Sequence, residues 1–237
     1  MSNSNIYSGF RYPSEIISHA VWMYFRFTLS FRDVEEMLAS RGIVVTYETV
    51  RQWTLRFGQD FANTVRTKQP QRGDKWFLDE VVLTIKGQHH YLWRAVDQDG
   101  FTLDILMQSR RNRHAAKRFF RKLMNNLRYA PRVIITDKLK SYAAAKREIL
   151  PSTEHRQHKG LNNQCEVSHQ PTRQQEKQMR RFKSARHAQR FLSAHFPINN
   201  LFRIRRFHAS ALAYREARQL AFSTWREASC VHGLNNA

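Results

Sequence analysis

The feature that narrows the fold most is a change of period at residues 67–74, TKQPQRGD. Before it, apolar residues recur at helical spacing; after it, they alternate or run together as in strands. A chain with that break combines an all-α module with an α/β domain. The segment itself carries Pro70 and Gly73 and no apolar residue, and reads as the linker between them.

In the first module, 1–66, SEIISHAVWMYFRF follows Pro13 and places Ile16, Ile17, Ala20, Val21 and Tyr24 on one helical stripe, with Ser14 as its expected N-cap. Next, LSFRDVEEMLASRG opens at Ser30, buries Phe31, Val34, Met37 and Leu38, and stops at Gly42. A third helix begins after Thr46. Three helices with a tight Gly-containing connection between the last two resemble a helix-turn-helix. In that geometry the start of the last helix faces the major groove, which makes Thr46, Tyr47, Thr49, Arg51 and Gln52 candidate DNA contacts. A plain three-helix bundle with a solvated polar face is the competing reading.

Beyond the linker, KWFLDEVVLTIKG, HHYLWRAVDQDG and FTLDILMQS read as three antiparallel strands, with Asp99-Gly100 as a turn pair. RRNRHAAKRFFRKLMNNL is a helix with Ala115, Phe119 and Leu123 on one face, RVIIT is a further strand, and KSYAAAKREIL is a helix that ends at Pro151. This order predicts an α/β, ribonuclease-H-like domain at 75–215, a mixed five-stranded sheet flanked by helices. Basic helices complete it, and a C-terminal helix and tail fill 216–237.

Forty Lys and Arg against nineteen Asp and Glu give a formal charge of +21, well above the ~2 to 8 that solubility needs. A polyanion is the expected partner. Sixteen Phe and five Trp exclude a disordered basic protein. No apolar run approaches the ~18 residues of a membrane span and no signal-peptide core opens the chain. Cys165 and Cys230 form no CxxC pair, and with His155, His158 and His169 they fit no zinc-finger spacing. A cytoplasmic, nucleoid-associated protein is expected.

Asp79 falls inside the first strand and Asp137 closes RVIIT. A carboxylate in a central strand is costly without a compensating partner. If the two strands are neighbours, the acids converge, and a hard divalent cation between them relieves the repulsion. Plainer roles compete: an edge-strand surface position for Asp79, and a cap on the following helix for Asp137. For a third acid, Glu154, Glu166 and Glu176 all remain open.

The blocks DKWFLDE, YLWRAVDQDG, VIITDK, EHRQHKGLNNQCEVSHQ and RRFKSARHAQRF together resemble the bacterial insertion-sequence transposases of the IS-six family, over about residues 10–207. The resemblance implies a helix-turn-helix followed by a ribonuclease-H-like domain whose triad of acids falls on Asp79, Asp137 and Glu166. It further implies two Mg²⁺ or Mn²⁺ ions on those acids, which activate the attacking oxygen and stabilise the leaving one. The partners it implies are double-stranded DNA, as terminal inverted repeats and as target, and at least a homodimer in the DNA complex.

The family's basic residue after the glutamate falls on Arg173, which would share a helical face with Glu166, His169 and Gln170. Lys177, Arg180, Arg181 and Lys183 extend that basic run along the DNA backbone. Two features depart from the pattern: 28 residues separate Asp137 from Glu166, fewer than is usual for the family, and Pro171 starts or kinks the helix before Arg173. A non-catalytic DNA-binding regulator and a stand-alone nuclease of the same fold are the rival functions.

Overall fold

Helix α1, Ser14–Arg26, packs Ile17, Ala20, Val21 and Tyr24 inward. These details come from a computed structural model that describes residues 6–69, 73–137, 139–157, 170–179, 181–204 and 210–231, the side chains of 170–172 excepted. The expected Ser14 cap is not formed. Pro13 is the N-cap and its carbonyl accepts from Ile16 and Ile17, while the Ser14 hydroxyl turns to Glu15 at 3.1 Å.

Helix α2, Phe31–Ala39, opens on a reciprocal capping box: Ser30 Oγ accepts from the Asp33 amide at 3.1 Å, and Asp33 Oδ2 accepts from the Ser30 amide at 2.7 Å. Gly42, at φ 74°, turns the chain toward α3, Tyr47–Lys68, which Thr46 caps through the Thr49 amide at 3.2 Å. Val34 and Leu38 are buried as expected, but Met37 is exposed, since it lies off the stripe those two define. Helix α3 also runs two residues into the expected linker.

The meander follows. Strands β1, Lys75–Ile85, and β2, Gln88–Asp97, are joined through Lys86 and Gly87, both at positive φ, the two-residue turn whose twist suits a hairpin. Strand β3, Thr102–Gln108, pairs antiparallel with β2. Asn112 caps α4, Arg113–Leu127, which leads into β4, Val133–Thr136. Then come α5, Lys140–Ile149, and β5, Glu154–Gln157. Strand β4 pairs parallel with both β1 and β5, so the mixed sheet has the order β3-β2-β1-β4-β5. That is the expected ribonuclease-H-like arrangement, with five strands.

On one face of the sheet, Trp76, Leu78, Trp93, Ala95 and Ile134 bury against Ala115, Phe119, Phe120 and Leu123 of α4 and Tyr142 of α5. On the other, Phe77, Val96, Val133 and Ile135 form a smaller apolar cluster. Three helices complete the described residues: α6, Gln170–Gln178, α7, Ala185–Leu201, and α8, Ala211–Ala228.

Chain contacts divide the molecule differently from the expected boundaries. One unit is residues 70–193; the other joins 1–69 to 194–237. The second half of α7 and all of α8 therefore complete the helical module. The reason is aromatic packing: Trp22 meets Phe202 at 5.7 Å and Phe222 at 5.4 Å between ring centroids, and Phe61 meets Trp225 at 5.5 Å. No helix among the described residues is long and apolar enough to cross a membrane.

Candidate active site

In the parallel pairing of β1 with β4, Leu78 lies opposite Thr136, and the next residue after each is an aspartate, Asp79 and Asp137. Residues that share a register position share a face. Leu78 points into the helix-covered core, so Asp79 points to the opposite face with Phe77. The antiparallel partner of Asp79 is Arg94, a wholly buried arginine. The compensating charge that a mid-strand aspartate demands is thus built into β2.

Glu80, next along β1, turns back to the helix side. Its side chain is only 2% exposed. Tyr142 of α5 donates its hydroxyl to Glu80 Oε2 at 2.6 Å, and Arg111, just before α4, donates Nε to Oε1. Burial raises the Glu80 carboxyl above its usual range. The Tyr142 and Arg111 contacts pull the other way, and the charges of Asp137 and Asp79 add to the rise. Tyr142 is held far above the ordinary phenol range, chiefly by burial and then by Glu80.

Asp137 uses both carboxylate oxygens. Oδ1 accepts from the Leu139 amide at 3.0 Å, and Oδ2 accepts from Arg111 Nη2 at 3.3 Å. Asp137 does not cap α5, whose N-cap is Leu139 with no side-chain cap bond; its contact with the Leu139 amide leaves one oxygen facing a single guanidinium. Beside it, Thr136 Oγ1 lies 2.9 Å from His155 Nε2 on β5.

Among the described residues, no three His, Cys, Asp or Glu side chains are grouped to hold a metal. Glu166 and His169 lie outside those residues, as does Arg180. What is present fits a hard divalent cation in its chemistry: the carboxylates of Asp79 within β1 and of Asp137 just past β4 offer oxygen donors. Of the other acids considered, Glu154 is exposed and paired with Arg156 at 2.6 Å. Glu176 is half-buried on α6, where burial raises its carboxyl despite Arg173 and Arg181. Helix α6 begins at Gln170 with Pro171 in its first turn, a position where the missing amide costs nothing. Arg173, Lys177, Arg181 and Lys183 are all exposed. The Phe residues interleaved with the basic run, Phe182, Phe191, Phe196 and Phe202, are buried core.

In the helical unit, the predicted contact residues share the solvent edge at the start of α3. Thr46, Tyr47, Arg51 and Gln52 are exposed, and Thr49 is partly so. They are already knitted together: Arg51 reaches Glu48 at 2.6 and 2.8 Å, Gln52 reaches the same carboxylate at 3.4 Å, and Arg32 sits 4.5 Å above the Tyr47 ring.

Three residues of the acid cluster, Glu80, Arg111 and Tyr142, were not singled out by sequence reasoning. A second acid directly after Asp79 in an apolar strand was the available signal, because alternation sends it to the buried face.

A five-stranded mixed sheet of order β3-β2-β1-β4-β5, flanked by helices, is the arrangement of the ribonuclease-H-like class. A family model described as a DDE domain, DDE_Tnp_IS240, matches residues 73–205. The transposase of insertion sequence-like element IS431mec from Staphylococcus aureus strain Mu50 is 34% identical over 168 residues, 68% of this chain and 75% of that protein. The transposase of element IS257 in transposon Tn4003, also from Staphylococcus aureus, is 33% identical over the same shares. Among solved structures, the Mos1 transposase catalytic domain aligns with 77% of this chain and 98% of its own at 16% identity and a TM-score of 0.43. The chain belongs to the IS-six family of DDE transposases, metal-dependent enzymes that cleave DNA.

Proposed function

We propose that the protein cuts the ends of an insertion sequence and joins them to target DNA, with Asp79, Asp137 and Glu166 holding two Mg²⁺ or Mn²⁺ ions. The observation that supports this reading is the β1/β4 register: Leu78 lies opposite Thr136, and the next residue along each strand direction is an aspartate, Asp79 and Asp137. Bound there, the ions supply Lewis-acid stabilisation of charge on the attacking and leaving oxygens. The chain's own contribution is placement. The Leu139 amide fixes one oxygen of Asp137, and the ladder to β2 fixes the backbone of Asp79.

The exposed start of α3 reads the terminal inverted repeats, with Thr46, Tyr47, Thr49, Arg51 and Gln52 as the contacts. Arg173, Lys177, Arg180, Arg181 and Lys183 hold phosphates, with His169 beside Glu166. Two DNA ends must be joined in one complex, so the working form is at least a dimer. Binding by so many cations weakens steeply with salt.

The test uses purified protein, a labelled fragment that ends in the element's repeats, and Mg²⁺ or EDTA. Metal-dependent nicking and joining at the repeat ends is expected, and Asp137→Asn should lower it by about a thousandfold or more while leaving end binding intact. Binding without any metal-dependent joining would point to a regulator. Cutting that ignores the repeats would point to a nuclease.

A further inference from the structure

The Arg111 guanidinium bridges two carboxylates of unequal standing. Glu80 is a fixed anchor: its side chain is 2% exposed, and its second oxygen is taken by the hydroxyl of wholly buried Tyr142 at 2.6 Å. Asp137 is 33% exposed, and the guanidinium reaches it through one nitrogen at 3.3 Å. That contact is longer than the ~2.7–2.9 Å of a tight charge-assisted bond. The close contact is therefore the buried one, and the loose contact is the one open to solvent.

We propose that Arg111 is a positioning residue: anchored on Glu80, it holds Asp137 Oδ2 where a divalent cation would sit, and gives up that oxygen when the cation binds. Three carboxylates lie within electrostatic reach of one another: Asp79 and Glu80 within β1, and Asp137 just past the end of β4. A resident cation offsets their repulsion and keeps Asp137 in place. When a metal arrives, the guanidinium loses one hydrogen bond and stays on Glu80, so the site exchanges one positive partner for another without rebuilding the loop. The inference rests on Asp137 being a metal ligand, as proposed above.

The prediction has a sign that a merely structural arginine would reverse. A guanidinium that competes with the metal makes metal binding weaker than it would otherwise be; an arginine that only braces the loop makes it stronger. Calorimetric titration of Mn²⁺ into the full-length protein without DNA separates the two. Arg111→Gln should lower the Mn²⁺ Kd by about tenfold, the scale for removing one unit charge a few ångströms from a divalent ion in a largely aqueous setting. Arg111→Lys, which keeps the charge, should stay near wild type. Arg111→Met, which keeps the stem and drops the charge, is the second neutral variant should the first fail to fold, and the same tightening is expected. An unchanged or higher Kd in a folded neutral variant overturns the proposal. Asp137→Asn distinguishes the two levels: if it leaves Mn²⁺ binding unaltered, the reading of the site fails and this inference with it. If it abolishes binding while the neutral Arg111 variants do not tighten it, only the inference fails.

Discussion

The helical unit and the sheet unit bury different things. In the helical unit the interior is made of rings: Tyr7, Phe57, Phe61, Trp22, Phe202, Phe222 and Trp225 meet one another at centroid distances between 5.0 and 6.5 Å. The charged residues at the start of α3 lie at its surface, and half-buried Arg26 donates to Asn199 Oδ1 at 2.8 Å and to the Phe202 carbonyl at 3.2 Å. In the sheet unit charge is carried into the interior. Arg94 is wholly buried, the side chains of Glu80 and Asp104 are each 2% exposed, and Asp104 is held by Lys122 and by Asn126 at 2.6 Å. The first unit gains stability from apolar area and keeps a polar edge at the start of α3. The second gives up some of that gain to hold carboxylates in fixed positions, which the proposed phosphoryl-transfer chemistry requires and the proposed reading surface does not.

Three measurements would break or sharpen that contrast. The largest effect is expected from Phe61→Ala, which removes a buried ring stacked on Phe57 at 5.6 Å and set edge-on to Trp225. A loss of about 3–5 kcal/mol is expected in urea unfolding; a loss below about 1 kcal/mol would mean that rings do not carry this core.

Next comes a buried histidine of the ring-rich interior, His195. Burial chiefly, and the Arg26 charge as well, hold the His195 imidazole down at about 4, against a hydrogen bond to the Phe25 backbone. A folded pKa below the unfolded one means that the unfolded chain takes the proton first. His195 therefore adds stability above pH ~6.5 that is lost as the pH falls toward about 4. The full loss is about 3 kcal/mol. Melting temperatures of wild type and His195→Gln across that window should converge as the pH falls; parallel curves would remove His195 from the account.

The smallest effect lies in the sheet unit. Tyr142→Phe keeps the ring against Trp93 at 5.3 Å but deletes the hydroxyl that Glu80 accepts. A cost of about 2 kcal/mol is expected in the same urea assay. No measurable cost would show that the buried acid is held by Arg111 alone.

Elements and topology were legible in the sequence because two periods, helical before residue 67 and alternating after 75, are written in apolar residues. The cap expected at Ser30 formed; the one expected at Ser14 did not, because Pro13 took the position. The two aspartates could be picked out because each follows an apolar run, WFL before Asp79 and VIIT before Asp137. Their neighbours could not: Arg111 sits among four basic residues in SRRNRH, and only the folded register tells it apart from the others. The domain boundary was also hidden, since nothing in the Arg-rich C-terminal run says that Phe202, Phe222 and Trp225 belong with Trp22 and Phe61, far away along the chain.

That boundary sets an order of events at the ribosome. Residues 70–193 are contiguous, so the sheet, with Asp79 and Asp137 already adjacent, can close as soon as its own stretch has emerged. The helical unit cannot. Its first three helices wait, with Trp22 and Phe61 uncovered, for residues 194–237 to arrive. In each nascent chain the sheet unit is finished before the helical unit, and a message broken after codon 193 would leave the first three helices without the rings that close their core.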